Sequence, residues 1–241
     1  MFWRLLLAHL LADYPLQPAR LVGAKQAARG RSLHTFIHFV CSWLMIGWGR
    51  LDALPKIAAL AGLHFTLDWA KQVYAQKRPY SGAGPYFADQ FVHIISIAGV
   101  AVWINAPEGL DPFVAEPWFV YACALLLLTV VWHVTERILH TDDPRALAHL
   151  RSTGRQRMSF RLVFGIFFHA LGQFIPLAMS LDETHVDPAQ ELPKADQTGG
   201  LAPRISWLIA PYRAVEIGRR ALLTDLTVAC VTWLMVRLIV A

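Results

Sequence analysis

Apolar residues run along the chain in seven stretches, at residues 2–16, 32–49, 55–75, 86–104, 116–139, 160–181 and 219–240, separated by short polar connectors. Most stretches approach the ~20 residues that an α-helix needs to cross a hydrocarbon layer about 30 Å thick. The pattern predicts an all-α protein, a polytopic transmembrane helical bundle of six or seven helices. The count turns on the first stretch, which spans only about 22 Å at 1.5 Å per residue and is stopped by Pro15 and Pro18. Such a helix tilts, lies in the interface or re-enters. Residues 182–203 are polar and rich in Pro and Gly and form the one long connector, and residues 204–218 read as an interfacial amphipathic piece. No fixed-period repeat is visible. Residues 1–104 and 105–241 are expected to form one integral domain. The N-terminus has a basic residue before an apolar core, as a signal peptide does, but Asp13 and the lack of a small-x-small site predict a retained segment.

Composition agrees with this pattern: 56% of residues are hydrophobic and 16% charged, against roughly 25% charged in a soluble domain. The formal charge of +5 comes mainly from Lys and Arg in the connectors, so it reports membrane orientation and not a nucleic-acid surface. Arg20, Lys25, Arg29 and Arg31 lie in the first connector, Lys71, Lys77 and Arg78 in the third, and Arg145, Arg151, Arg155, Arg157 and Arg161 in the fifth. The connector carrying Glu108, Asp111 and Glu116 has no base. This alternation puts the basic connectors in the cytoplasm, with a bacterial inner membrane as the expected location; only Arg219 and Arg220 fit it poorly. Cys41, Cys123 and Cys230 sit apart in apolar stretches and suggest no disulfide or zinc ribbon. Trp3, Trp43, Trp48, Trp69, Trp103, Trp118 and Trp207 lie mostly toward segment ends, as belt residues do.

The candidate chemistry lies where hydrocarbon should reject it. His9 with Asp13, His34 with His38, His64 with Asp68, and Asp89 with His93 are pairs spaced by four, so each pair shares a helix face. A shuffled chain would hold about one such His-containing pair. With the basic connectors inside, all eight side chains fall in one layer toward the cytoplasmic side. Asp13, Asp68 and Asp89 would together cost on the order of 8 kcal/mol if deep and unpartnered, so something must offset them.

Imidazole nitrogen and carboxylate oxygen without thiolate suit zinc first, then manganese or iron. A zinc with three protein ligands and one open position would bring the pKa of a bound water to about 7. His34, His38, His64 and Asp68 are the leading metal ligands, Asp89 and His93 come next, and His9 and Asp13 are assigned to base or supporting roles. Gln17, Gln90 and Lys71 are their polar neighbours, Lys71 reading as an interface anchor more than a catalyst. His133, Glu136 and His140 read as interfacial, His169 beside Gln173 as a satisfied core histidine, and His149 and His185 as solvated. The leading function is a membrane-embedded metal-dependent hydrolase acting on a lipid-linked or membrane-associated ester or phosphate. A transporter or proton- or ion-coupled carrier using the same cluster is the nearest rival, and a membrane scaffold subunit with a structural polar network the third. No GxSxG or phosphate loop is present, and no pattern selects an oligomeric state.

The segments "LLLAHLLADYPLQ", "LHTFIH", "LHFTLDWAK" and "FADQFVHIIS" resemble the repeated pattern of a family of small bacterial integral membrane proteins designated domain of unknown function 3307. The resemblance covers about residues 1–104 and includes all eight clustered residues. It implies a bacterial inner membrane and the same polar motif, with no activity attached. The layout is more loosely similar to small bacterial membrane proteins labelled metal-dependent hydrolases, whose acidic "PDxDH" type of segment this sequence lacks.

Overall fold

The computed structural model describes residues 1–47, 49–77, 83–182, 209–212 and 217–240. Most of the predicted 182–203 connector and 204–218 amphipathic piece, with Trp48, Arg78, His185 and Trp207, lies outside the described residues, as does the side chain of Gln173. Among the described residues the protein is helical throughout, without a strand. The helices are α1 (Phe2–Asp13), α2 (Ala19–Ala24), α3 (Ala28–Ile46), α4 (Leu54–Lys77), α5 (Gly84–Asn105), α6 (Pro117–Leu139), α7 (Pro144–Asp182) and α8 (Ile217–Val240). Within α6 the stretch Leu127–Val131 is a π-helical turn. Three of these, α5, α6 and α8, are long and apolar enough to cross a membrane. Helices α3 and α4 carry two of the His/Asp pairs together with Arg29, Arg31, Lys56 and Lys71, and those groups lower their hydropathy.

The chain divides into two compact units, Met1–Pro144 and Arg145–Ile239. In the first, α1 packs on α3, α5 and α6, while α3 packs on α4 and α4 on α5, so α1, α3, α4 and α5 close a ring. Helix α1 ends at Asp13, one residue before Tyr14, whose N–H still reaches the Leu10 oxygen; Pro15 has no N–H to continue the ladder, and Leu16 N takes up the Leu11 oxygen at 3.0 Å instead. It is about 18 Å long at 1.5 Å per residue, too short to span a bilayer. At one end of the ring Leu5, Ile46, Ile57, Leu60, Ile97 and Ile104 form a buried apolar layer. Large apolar side chains outside the ring face outward, including Phe91, Ile95 and Trp103 on α5 and Trp118 on α6, as lipid contact would favour.

Helix α2 is a short element that the hydropathy pattern does not announce. It returns the chain onto the start of α3 at Gly30, where a Cβ would stand 2.0 Å from the Ala24 oxygen and 2.8 Å from the Lys25 nitrogen. Only glycine permits that approach. At the other end α3 stops at Gly47, whose φ of 108° no other residue type adopts readily.

In the second unit α7 begins 16 residues earlier than the predicted 160, with Pro144 at its first position and a helix-forming "RALAHL" run behind it. Arg157 and Arg161, read from sequence as cytoplasmic connector charges, are 2% and 0% exposed. Asp225 of α8, fully buried, accepts from Arg157 Nε (2.7 Å) and Nη2 (2.9 Å), from Arg161 Nη1 (2.6 Å) and from the Tyr212 hydroxyl (2.7 Å). Burial first, then the Asp225 charge, keeps the Tyr212 phenol protonated and therefore a donor. Arg145, Arg151 and Arg155 remain exposed, so the charge asymmetry keeps its sign. His149 is not simply solvated: it is half-buried, and burial, with Arg157 as the next cause, lowers the pKa of its imidazole.

Candidate metal centre

Each His/Asp pair sits on the inner face of its helix, at the end of the ring opposite the apolar layer. His9, His34, His38, His64 and His93 are all buried, and the side chains of Asp13 and Asp68 are each 10% exposed. Asp13 Oδ1, His34 Nε2 and His38 Nε2 form a triangle with sides of 2.9, 3.0 and 3.1 Å. His64 Nε2 lies 4.0 Å from the same Asp13 oxygen. Donor atoms from these four residues all fall within 4.8 Å of one another. Tetrahedral zinc with bonds of about 2.0–2.1 Å holds its ligands roughly 3.3 Å apart, so the group needs to tighten on one corner only.

A second group, His64, Asp68 and His93, also brings its donor atoms within 4.8 Å of one another and shares His64 with the first. Asp68 Oδ2 is 3.6 Å from His64 Nε2 and 3.8 Å from His34 Nε2. His93 donates from Nδ1 to the Asp89 main-chain oxygen at 2.8 Å, which leaves its Nε2 lone pair for the cluster. The imidazoles touch in series: His38 stacks on His64 with centroids 3.7 Å apart, His64 meets His93 at 4.4 Å, and His9 stacks on His93 at 5.2 Å. His9 Nε2, His64 Nε2 and His93 Nε2 are buried without a hydrogen-bond partner. Several buried nitrogens without a partner around a pair of carboxylates are the donor set a cation would satisfy. A cavity of about 20 Å³, bordered by His9, His38, His64, His93, Ser42 and Ser96, separates the cluster from the apolar layer and has room for about one water.

Seven of the eight predicted residues therefore meet. The eighth, Asp89, turns aside to Lys71, with Oδ2 2.6 Å from Nζ, and reaches the cluster only through His93. Lys71 is thus an ion-pair partner as well as a boundary residue. Asp13, expected beside the metal ligands, has its Oδ1 at their centre, because α1 enters the ring between α3 and α5. Gln90 donates to Asp89 at 3.4 Å, and the Tyr14 hydroxyl lies 3.5 Å from its Oε1. Gln17, with its amide turned to suit both neighbours, donates to the Asp13 main-chain oxygen (2.7 Å) and accepts from Lys25 Nζ (3.1 Å).

Sequence reasoning missed Lys25, whose Nζ lies 2.6 Å from Asp68 Oδ2. It sits in the non-periodic "VGAKQAARG" turn, where spacing carries no signal. It also passed over Asp225, although a single acid inside the apolar 219–240 stretch was visible on the same energetic ground as Asp13. Glu136, expected at an interface, is 4% exposed, one residue from buried Thr135, whose hydroxyl continues a chain through Tyr86 (3.0 Å) to Tyr14 (2.7 Å).

No curated protein and no solved structure matches the chain significantly. Residues 1–115, which carry all eight clustered residues, match the model of the family described as "Protein of unknown function (DUF3307)", the family that their motifs resemble.

Proposed function

We propose that the protein is a multi-pass inner-membrane hydrolase that uses one divalent cation, zinc by preference, to cleave a lipid-linked or membrane-associated ester or phosphate near the cytoplasmic face. The observation that carries this reading is the convergence of donor atoms from Asp13, His34, His38 and His64 within 4.8 Å, contributed by three helices. The cation would supply a bound water acidified toward neutral pH. His93 Nε2, with Nδ1 committed to a carbonyl, would take a proton from that water, and His9 would back it. Asp68, tied to Lys25, would face the substrate side. Six or seven spans, with the basic connectors inside, complete the picture: α3, α4 and α7 would join α5, α6 and α8 once their polar groups are enclosed by the ring or by neighbours.

Tag-free protein purified in detergent should hold about one equivalent of zinc, manganese or iron and should release phosphate or alcohol from model esters in a chelator-sensitive manner. Fully folded protein that carries no metal after exposure to micromolar zinc would sink the hydrolase reading. The serial imidazole contacts favour one second reading, a proton- or ion-coupled carrier. The buried Leu5, Ile57 and Ile104 layer, fully excluded from solvent, weighs against a continuous polar path.

A further inference from the structure

Beside the cluster, on the side away from the 20 Å³ cavity, lies a cleft of about 450 Å³ bordered by Lys25, Arg31, Lys71, Gln26, Gln72 and Asp68. Three cations face it against one carboxylate, and that carboxylate belongs to the donor group His64, Asp68, His93. Arg31 is held at its guanidinium: Nη1 donates to the Lys25 main-chain oxygen (3.1 Å), the Gln26 main-chain oxygen (3.4 Å) and the Gln72 side chain. Gln72 in turn donates to the Gln26 main-chain oxygen at 2.9 Å, so the amides and the guanidinium hold one another. The Arg31 Nε–H is buried and has no acceptor. Lys71 spends one of its three donors on Asp89, and Lys25 spends two, on Asp68 and Gln17.

We infer that this cleft binds the phosphate group of the substrate and presents it to the donor cluster through Asp68. The inference rests on the hydrolase reading and narrows its substrate class from esters in general to phosphate esters. A carboxylate offers two oxygens, whereas a phosphate carries more oxygens and more charge and so can meet Arg31, Lys25 and Lys71 together. The volume is several times that of a bare phosphate, so a headgroup or the remainder of an ester fits with it. A cation held by the cluster would draw on Asp68 and free the Lys25 ammonium toward the anion, so the two sites support each other.

The test uses full-length, tag-free protein. Calorimetric titration with inorganic phosphate in neutral detergent forms one arm. Native mass spectrometry of protein released from phosphatidylcholine nanodiscs containing phosphatidate forms the other. Binding in the first arm identifies a soluble phosphate source, retention of phosphatidate in the second a lipid headgroup, and either supports the cleft. Arg31→Gln and Lys25→Gln should each weaken binding about tenfold or more, while Lys56→Gln, whose Nζ caps the Trp103 carbonyl elsewhere, should not. Gln72→Glu keeps every cation and adds a carboxylate beside Arg31, so it should weaken binding even where Arg31→Gln fails to fold. No binding in either arm, or binding indifferent to all three cleft variants, overturns the inference. Metal content measured on the same preparations separates the two ideas: metal without anion binding overturns the cleft alone, and anion binding without metal overturns the metal centre while upholding the cleft.

Discussion

Asp13→Asn tests the donor cluster most directly, because it removes one negative charge with almost no change of volume. Asp13 Oδ1 lies 2.9 Å from His38 Nε2, 3.0 Å from His34 Nε2 and 4.0 Å from His64 Nε2, and Oδ2 lies 3.5 Å from His9 Nε2. For folding, asparagine keeps one carbonyl acceptor toward His34 and His38. Its amide nitrogen can turn to His9 Nε2, a buried atom with no hydrogen-bond partner. An unsatisfied buried group costs about 1–3 kcal/mol, and this compensation puts the variant at the low end, near ~1 kcal/mol. For metal binding the outcome differs in scale. Residues that only support ligands already contribute 10- to 100-fold in affinity, so loss of an anionic ligand should cost at least ~100-fold, about 2.7 kcal/mol. Elemental analysis of tag-free protein, equilibrated with buffered free zinc, should fall from about one equivalent to under a tenth. Unfolding in mixed micelles should move by only ~1 kcal/mol. Full metal loading of the variant would refute the donor assignment. Loss of metal together with collapse of the fold would refute the ~1 kcal/mol folding cost and show that Asp13 is needed for the fold itself.

Three further outcomes follow from the geometry. His93→Gln should retain metal and lower chelator-sensitive hydrolysis by about 10²- to 10⁴-fold, the usual range for a lost general base; unchanged turnover removes His93 from that role. Gly30→Ala forces a Cβ to within 2.0 Å of the Ala24 oxygen, which cannot yield without moving Lys25; it should destabilise the protein by about 1–3 kcal/mol in micellar unfolding, and wild-type stability would contradict the α2–α3 approach. Asp225→Ala removes the shared acceptor of two buried arginines and Tyr212 and should cost about 3–5 kcal/mol in the same assay; a loss below 1 kcal/mol would mean the network is not holding α7 to α8.

The i, i+4 pairs were legible because helix periodicity alone puts two side chains on one face, and the cost of burying an ionisable group makes each pair conspicuous in an apolar run. Helix positions followed from the same periodicity, and α3 to α6 begin and end within a few residues of the predicted stretches. Lys25 and Arg31 were not legible as parts of the cleft, since they lie among the connector bases that topology already explains. Arg157 and Arg161 were misassigned for the same reason. Hydropathy counts a basic residue as interfacial unless its partner is known, and that partner is Asp225, 68 residues from Arg157 and 64 from Arg161.

By itself the sequence determined which ionisable residues interrupt the apolar runs, that they ride on helices and that each pair shares a helix face, because these properties depend only on spacing, charge and the polarity of the surrounding run. The tertiary structure alone decided which of them meet. Insertion of the short α1 between α3 and α5 moves Asp13 from the edge to the centre of the donor set, and the chain reversal over Gly30 brings Lys25 to Asp68. Asp89 is drawn off by Lys71. Such choices depend on which helices are neighbours and how closely their backbones approach, and local periodicity contains neither quantity.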